Sequence, residues 1–285
     1  MSSIKWSLGH LVAGARRAGI ICIGASALLV TAPADSAAGG LLDGIQEAVA
    51  LQRLVKSLEK PSREDQIYLG KQTLASIRAE STVSAHEELT HLGNDLVSRL
   101  PGKSKEWPWE FFLIETSEVN AYAAPGGKIF VTSGLVSQIK TVDALAAVLS
   151  HEIVHVAKEH SAKQMREINW LDLIAQLGLG KLPSRTRVLD AAVAQELLIS
   201  KRSRDHEHQA DDIGMTLMKA AGYDIAGAVE LFDVFVAMSG GMEGGVVTWF
   251  SSHPGSTGRR EYAVTLQSRL TTQEMAQEEL IEKFK

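Results

Sequence analysis

Cysteine is almost absent from this 285-residue chain; the single one, Cys22, sits in an apolar N-terminal stretch. If that stretch is removed, disulfide frameworks, thiolate metal sites and cysteine nucleophiles go with it. No later run is long and apolar enough to cross a bilayer. No basic stripe suggests nucleic acid as a partner, and acidic residues outnumber basic ones by 34 to 29. Internal repeats are also missing. With 7 prolines, 24 glycines, 45% hydrophobic and 22% charged residues, disorder, collagen-like repeats and coiled coils are excluded. A globular core remains.

The N-terminus reads as an export signal. Lys5, Arg16 and Arg17 precede a 17-residue charge-free run, Ala18 to Ala34. That run is shorter than the roughly 20 residues a spanning helix needs. Ala32-Pro33-Ala34 presents small residues where a signal peptidase reads, so cleavage before Asp35 is expected. A retained membrane anchor is the alternative. The flanks of Arg16-Arg17 do not support a twin-arginine signal, and Ile21 before Cys22 argues against a lipoprotein anchor. Cleavage removes three basic residues and no acidic one, so the mature chain is more acidic than the formal −5 of the whole.

Helical periodicity runs through Leu41–Leu58 and starts again after Pro61, where Ser62-Arg63-Glu64-Asp65 looks like a helix start. Leu89, Leu92, Leu96 and Leu100 form one helical stripe, ended by Pro101-Gly102. The pattern then changes. Phe111–Ile114, Asn120–Ala124 and Ile129–Thr132 read as three short strands, the last two joined by a Pro125-Gly126-Gly127 turn. A long helix is expected from Thr141 to about Leu173, with an interruption after His160. Further helices are expected over Thr186–Met218, Asp224–Met238 and Gly258–Arg269, with Thr271 and Glu274 as a capping box for a last one. Trp107, Trp109, Phe111 and Phe112 are expected in the core, and His86 and His91 on the surface.

His151-Glu152-Ile153-Val154-His155 is the informative segment. Histidines four apart on a helix lie about 40° apart, so both imidazoles can reach one metal ion. Glu152 flanks that face, where its carboxylate can take a proton from water. Leu145, Ala146, Leu149, Ile153 and Val156 give the opposite side an apolar back. Two histidines leave a zinc ion undercoordinated. A metzincin would need glycine at position 158 and histidine at 161; the chain has Lys158 and Ser161. His160 is one place off and is expected as a solvated helix-end residue. An acid on a second helix is the remaining option. Glu207 and Asp211 share one face there, with Gly214 a turn further along. One carboxylate binding zinc, another orienting a ligand histidine and a glycine for close helix approach make a coherent design. His206 and His208 each point about 100° away from Glu207.

HEIVH, SRDHEHQADDIG, AAGYD and SHPGSTGR, in that order over Ser62–Leu270, resemble the HtpX-like, CAAX-prenyl-protease-type gluzincin metallopeptidases, peptidase family M48. The likeness is to soluble, exported bacterial members. It implies one zinc ion per chain, held by His151, His155 and Glu207, with Glu152 as general base and acid and Asp211 supporting a ligand histidine. It implies that Asn120, Ala121, Tyr122 and Ala123 hold substrate in extended form. His253 and Arg259 stand at the family's HPxxxxR positions, which implies transition-state stabilisation. His253 can alternatively bind zinc and keep the enzyme latent, or the pair can be a turn cap and an ion pair. One departure is Arg202, where an aromatic residue often precedes the SR pair.

The resulting expectation is an α+β, mainly α, zincin-like fold with a small three-stranded sheet beside the HExxH helix. Residues 1–34 are read as signal peptide, 35–60 as an N-terminal helical segment and 61–285 as a zinc metalloprotease domain. The expected function is zinc-dependent endoproteolysis of unfolded or extended polypeptides in the periplasm or cell envelope, degrading misfolded or misassembled proteins. A latent protease with a chaperone-like or binding role is the alternative. A purely structural zinc site fits poorly, because it has no use for Glu152.

Overall fold

The computed structural model describes residues 61–167, 203–239, 253 and 256–285, all within one compact unit, Gln52–Lys285. The expected signal peptide and the 35–60 segment lie outside the described residues. So do the N-terminal part of the Thr186–Met218 helix and the end of the Thr141–Leu173 helix.

Helix α1 (Arg63–Glu80) starts at a capping box. The Ser62 hydroxyl accepts from the Asp65 N–H at 3.2 Å, and the Asp65 carboxylate accepts from the Ser62 N–H at 3.0 Å. After strand β1 (Val83–Ala85), helix α2 (Glu87–Arg99) turns Leu89, Leu92 and Leu96 into the core. Then come β2 (Glu110–Ile114), β3 (Ala121–Ala124) and β4 (Lys128–Thr132).

The sheet has four strands rather than the expected three, in the order β1-β2-β4-β3. β1 pairs antiparallel with β2, β2 runs parallel to β4, and β3 pairs antiparallel with β4. Val83-Ser84-Ala85 is too short for an alternation to show, and two of its three side chains are exposed. Strand period sorts the other residues into two layers. Phe111, Ala121, Ala123, Ile129 and Val131 face the main core, while Phe112, Ile114 and Phe130 meet Leu74 of α1. The β3–β4 turn needs the left-handed backbone region at Gly126 (φ 76°) and Gly127 (φ 90°).

A short helix, α3 (Ser133–Val136), leads to α4 (Val142–Ala157), capped where the Thr141 hydroxyl accepts from the Ala144 N–H at 3.1 Å. α4 carries the HExxH residues through the middle of the molecule. It packs on β3 and β4, on α2, and on two later helices, α6 (Arg204–Ala220) and α7 (Ala226–Ser239). Gly214 lets α6 approach closely: a Cβ there would lie 3.1 Å from the His151 backbone nitrogen.

The α4 helix breaks before His160, not after it. Lys158 ends it, Glu159 takes a left-handed φ of 54°, and α5 (His160–Glu167) begins directly after. Gln66 of α1 donates to the Glu159 carboxylate at 2.9 Å and so ties down the break. Helices α8 (Ser256–Arg269) and α9 (Gln273–Lys283) complete the described chain. The α9 cap is Thr272, one residue beyond the expected Thr271; its hydroxyl accepts from the Met275 N–H at 3.2 Å.

Candidate metal centre

His151, Glu152 and His155 are buried on α4, whose Val148, Leu149 and Ile153 are buried in the core as well. Glu207 and Asp211 come from α6, one turn apart and both buried. Ser203 caps that helix, accepting from the His206 N–H at 3.2 Å, so Glu207 lies in the first turn, where the helix dipole favours a carboxylate.

These elements bring donor atoms together. His151 Nε2 lies 3.0 Å from His155 Nε2 and 3.4 Å from Glu207 Oε2. His155 Nε2 lies 3.4 Å from Glu207 Oε1. His253, wholly buried, places Nδ1 3.2 Å from His151 Nε2 and 2.9 Å from Glu207 Oε2. Four tetrahedral donors at 2.0–2.1 Å from one ion would be about 3.3 Å from each other. The observed separations fit that geometry, and all four donors fall within 4.8 Å of one another. Imidazole nitrogens and a carboxylate at such distances suit a divalent metal.

Asp211 supports His151. Its Oδ1 lies 3.0 Å from His151 Nδ1, so that nitrogen donates to the carboxylate and Nε2 is the one a metal would take in place of a proton. Asp211 is also gripped by Arg259, which donates from Nε to Oδ2 at 2.5 Å and from a terminal nitrogen at 2.7 Å to the same Oδ1 that meets His151. Arg259 is itself buried, lies over the Phe232 ring at 5.2 Å and comes within 3.4 Å of Glu207. Burial pulls the His151 pKa down, but the Asp211 and Glu207 carboxylates outweigh it and push it up to about 9. For Asp211, burial favours the neutral acid, yet Arg259 and His151 hold the carboxyl below its usual range. His253 and His151 do the same for Glu207.

The other expected site residues fall nearby. Glu152 is fully buried, and its carboxylate lies 3.4 Å from His253 Nε2. Asn120 lies beside β3, the outer strand packed against α4, and Ala121, Tyr122 and Ala123 belong to it. His208 is exposed.

Sequence reasoning misses one buried group. His160, expected in solvent, is 0% exposed. The break at Lys158–Glu159 turns it back beneath His155, with Nδ1 to Nδ1 at 2.8 Å. Its Nε2 reaches Gln209 Oε1 at 2.8 Å, and its ring stacks on His206 with centroids 4.4 Å apart. Neither Gly nor Pro marks the break, so the sequence carries no signal for it.

An HExxH helix, a glutamate from a second helix and an acid behind the first histidine define a metallopeptidase of gluzincin type. Residues 84–266 match peptidase family M48, and the chain belongs to that family. Among curated proteins it is 34% identical over 151 residues to the mitochondrial metalloendopeptidase OMA1 of Schizosaccharomyces pombe, covering 53% of this chain and 44% of the relative. It is 33% identical over 160 residues to the metalloprotease YcaL of Escherichia coli (54% of this chain, 61% of the relative). It is 27% identical over 175 residues to the beta-barrel assembly-enhancing protease of Yersinia pestis (57% and 36%). The chain thus spans roughly half the length of the curated relatives it matches.

Proposed function

We propose that this chain is a zinc-dependent endopeptidase of the bacterial cell envelope that cleaves extended segments of misfolded or misassembled proteins. One observation carries the reading: the His151, His155 and Glu207 donors converge at metal-binding distances with the buried Glu152 carboxylate on the same helix. His151, His155 and Glu207 would hold zinc, which would supply Lewis acidity toward a carbonyl and a water of pKa about 7. The residues do the rest. Glu152 takes the proton of the attacking water and delivers it to the leaving amine. Asp211 orients His151, and Arg259 holds Asp211 in place, so Arg259 acts through its two acid partners. The outer strand, at Asn120, Ala121, Tyr122 and Ala123, offers backbone beside α4 on which a substrate lies extended. The basic-then-apolar stretch at residues 1–34 supports export, and the likeness to the beta-barrel assembly-enhancing protease of Yersinia pestis supports work beside proteins under assembly. Zinc analysis with cleavage of unfolded casein, before and after chelation, tests the reading. A protein that binds zinc stoichiometrically and loses cleavage on chelation meets it; cleavage that ignores the chelator refutes it.

A specific observation favours a second reading, a latent enzyme with a binding role. His253 presents one ring nitrogen to the donor set and the other to Glu152. An imidazole between Glu152 and the ligands stands where water and substrate must sit, so it would be withdrawn before turnover.

A further inference from the structure

Two imidazoles of α4 meet the proposed metal, and different groups stand behind them. His151 has Asp211 behind it. Behind His155 stands His160, whose Nδ1 lies 2.8 Å from His155 Nδ1 and whose Nε2 lies 2.8 Å from Gln209 Oε1. We propose that His160 is a positioning residue that, together with Gln209, holds His155 in its Nδ1–H tautomer and leaves Nε2 open to the metal.

The proton count sets the direction of the chain. The amide oxygen of Gln209 only accepts, so the hydrogen in that contact belongs to His160 Nε2. A neutral imidazole has a single N–H, so His160 Nδ1 is an acceptor. The hydrogen between the two Nδ1 atoms is therefore on His155, and His155 Nε2 carries the lone pair. That nitrogen is the one 3.0 Å from His151 Nε2 and 3.4 Å from Glu207. Packing fixes the ring of His160 in this role, since it is wholly buried and His206 stacks on it with planes 12° apart. The left-handed Glu159 turns the chain so that His160 reaches His155 across the helix break. A carbonyl or carboxylate is the usual partner of a ligand histidine; a neutral imidazole in that place adds no negative charge beneath the ligands.

The proposal rests on His155 being a metal ligand, and the test separates the two ideas. In the metal-free full chain with ¹⁵N-labelled histidine, proton–nitrogen couplings report which His155 nitrogen holds the hydrogen. The wild type is expected to show Nδ1–H. His160→Phe keeps the ring volume and the stack on His206 but removes the acceptor. It should release His155 to the other tautomer and weaken zinc binding, measured by chelator competition, by about 10–100-fold. His160→Asn puts a carbonyl oxygen near the lost Nδ1 position and should recover most of that loss. Gln209→Met, at an exposed position, loosens the chain without touching the core and should shift the same signal in the same direction. It keeps the proposal falsifiable should His160→Phe fail to fold. An Nε2–H His155 in the wild type overturns the proposal. So does a His160→Phe or Gln209→Met protein with unchanged tautomer and zinc affinity within twofold of wild type. A wild type that shows the expected tautomers yet binds no zinc refutes the metal reading and leaves the relay standing.

Discussion

Removing Arg259 exposes how the acids behind the metal donors are held. The guanidinium donates twice to Asp211, at 2.5 and 2.7 Å, and the two side chains are only 3% and 4% exposed. In Arg259→Met the aliphatic volume stays, and the chain still packs against Phe232. The Asp211 carboxylate, however, is left in the interior with His151 as its one partner among the described residues. Breaking a buried ion pair from one side costs about 3–5 kcal/mol, because the remaining charge loses its compensation. For a unit of this size each kcal/mol moves the midpoint by about 2–4 °C, so a fall of roughly 6–20 °C is expected. Thermal unfolding of the metal-free protein, followed by circular dichroism, measures it. Asp211→Asn should recover part of the loss when added to Arg259→Met, since a neutral amide no longer needs the cation. The double variant then gives a coupling energy of about 2–3 kcal/mol. A midpoint change under about 2 °C in Arg259→Met, or strict additivity in the double variant, would refute the account of Arg259 as the clamp on Asp211.

Other variants separate the roles of the remaining groups. Glu152→Gln should keep zinc and cut peptide hydrolysis by about 10²–10⁴-fold, read by metal analysis beside a casein assay; loss of zinc would remove it from the general-base role. His253→Ala should raise activity if the imidazole plugs the site, whereas a loss in kcat at constant KM makes it a transition-state group instead. Glu207→Ala should abolish stoichiometric zinc and Asp211→Ala weaken it about 10–100-fold, while the exposed His208→Ala binds normally; the reverse pattern overturns the ligand assignment. Gly214→Val should cost about 1–3 kcal/mol in denaturant unfolding and weaken zinc, because even its Cβ would press on the His151 backbone at 3.1 Å; wild-type behaviour would mean that α6 has room to retreat.

The donors are readable in the sequence because helix period alone sets their directions. His151 and His155 share a face by spacing, as do Glu207 and Asp211, and those helices have no break within the motifs. Gly214 is readable for a related reason, since a glycine amid good helix formers marks a close approach. Three things are not readable. Strand β1 is three residues long and mostly exposed, so no alternation can reveal it. The α9 cap could fall on Thr271 or Thr272 with equal side-chain chemistry, and the folded chain uses the second. Carrying helix period across Lys158–Glu159 misplaces His160, because the backbone turns left-handed there at a glutamate. Its hydrogen bond to Gln209 spans 49 residues, and no local rule anticipates a contact that distant.

The donors also come from far apart along the chain. His151 and His155 are four residues apart, but His253 meets Glu207 across 46 positions and His151 across 102, and Arg259 reaches Asp211 across 48. Closing such loops is entropically unfavourable until the segments between them have folded. A nascent chain that has formed only α4 offers two imidazoles and no carboxylate from α6. The donor set is therefore complete only once α6 and α8 have docked on α4. Under the function proposed above, such an enzyme must itself pass through the unfolded state among identical copies. A site built from such distant segments leaves a copy without its full donor set while it is still unfolded and open to cleavage.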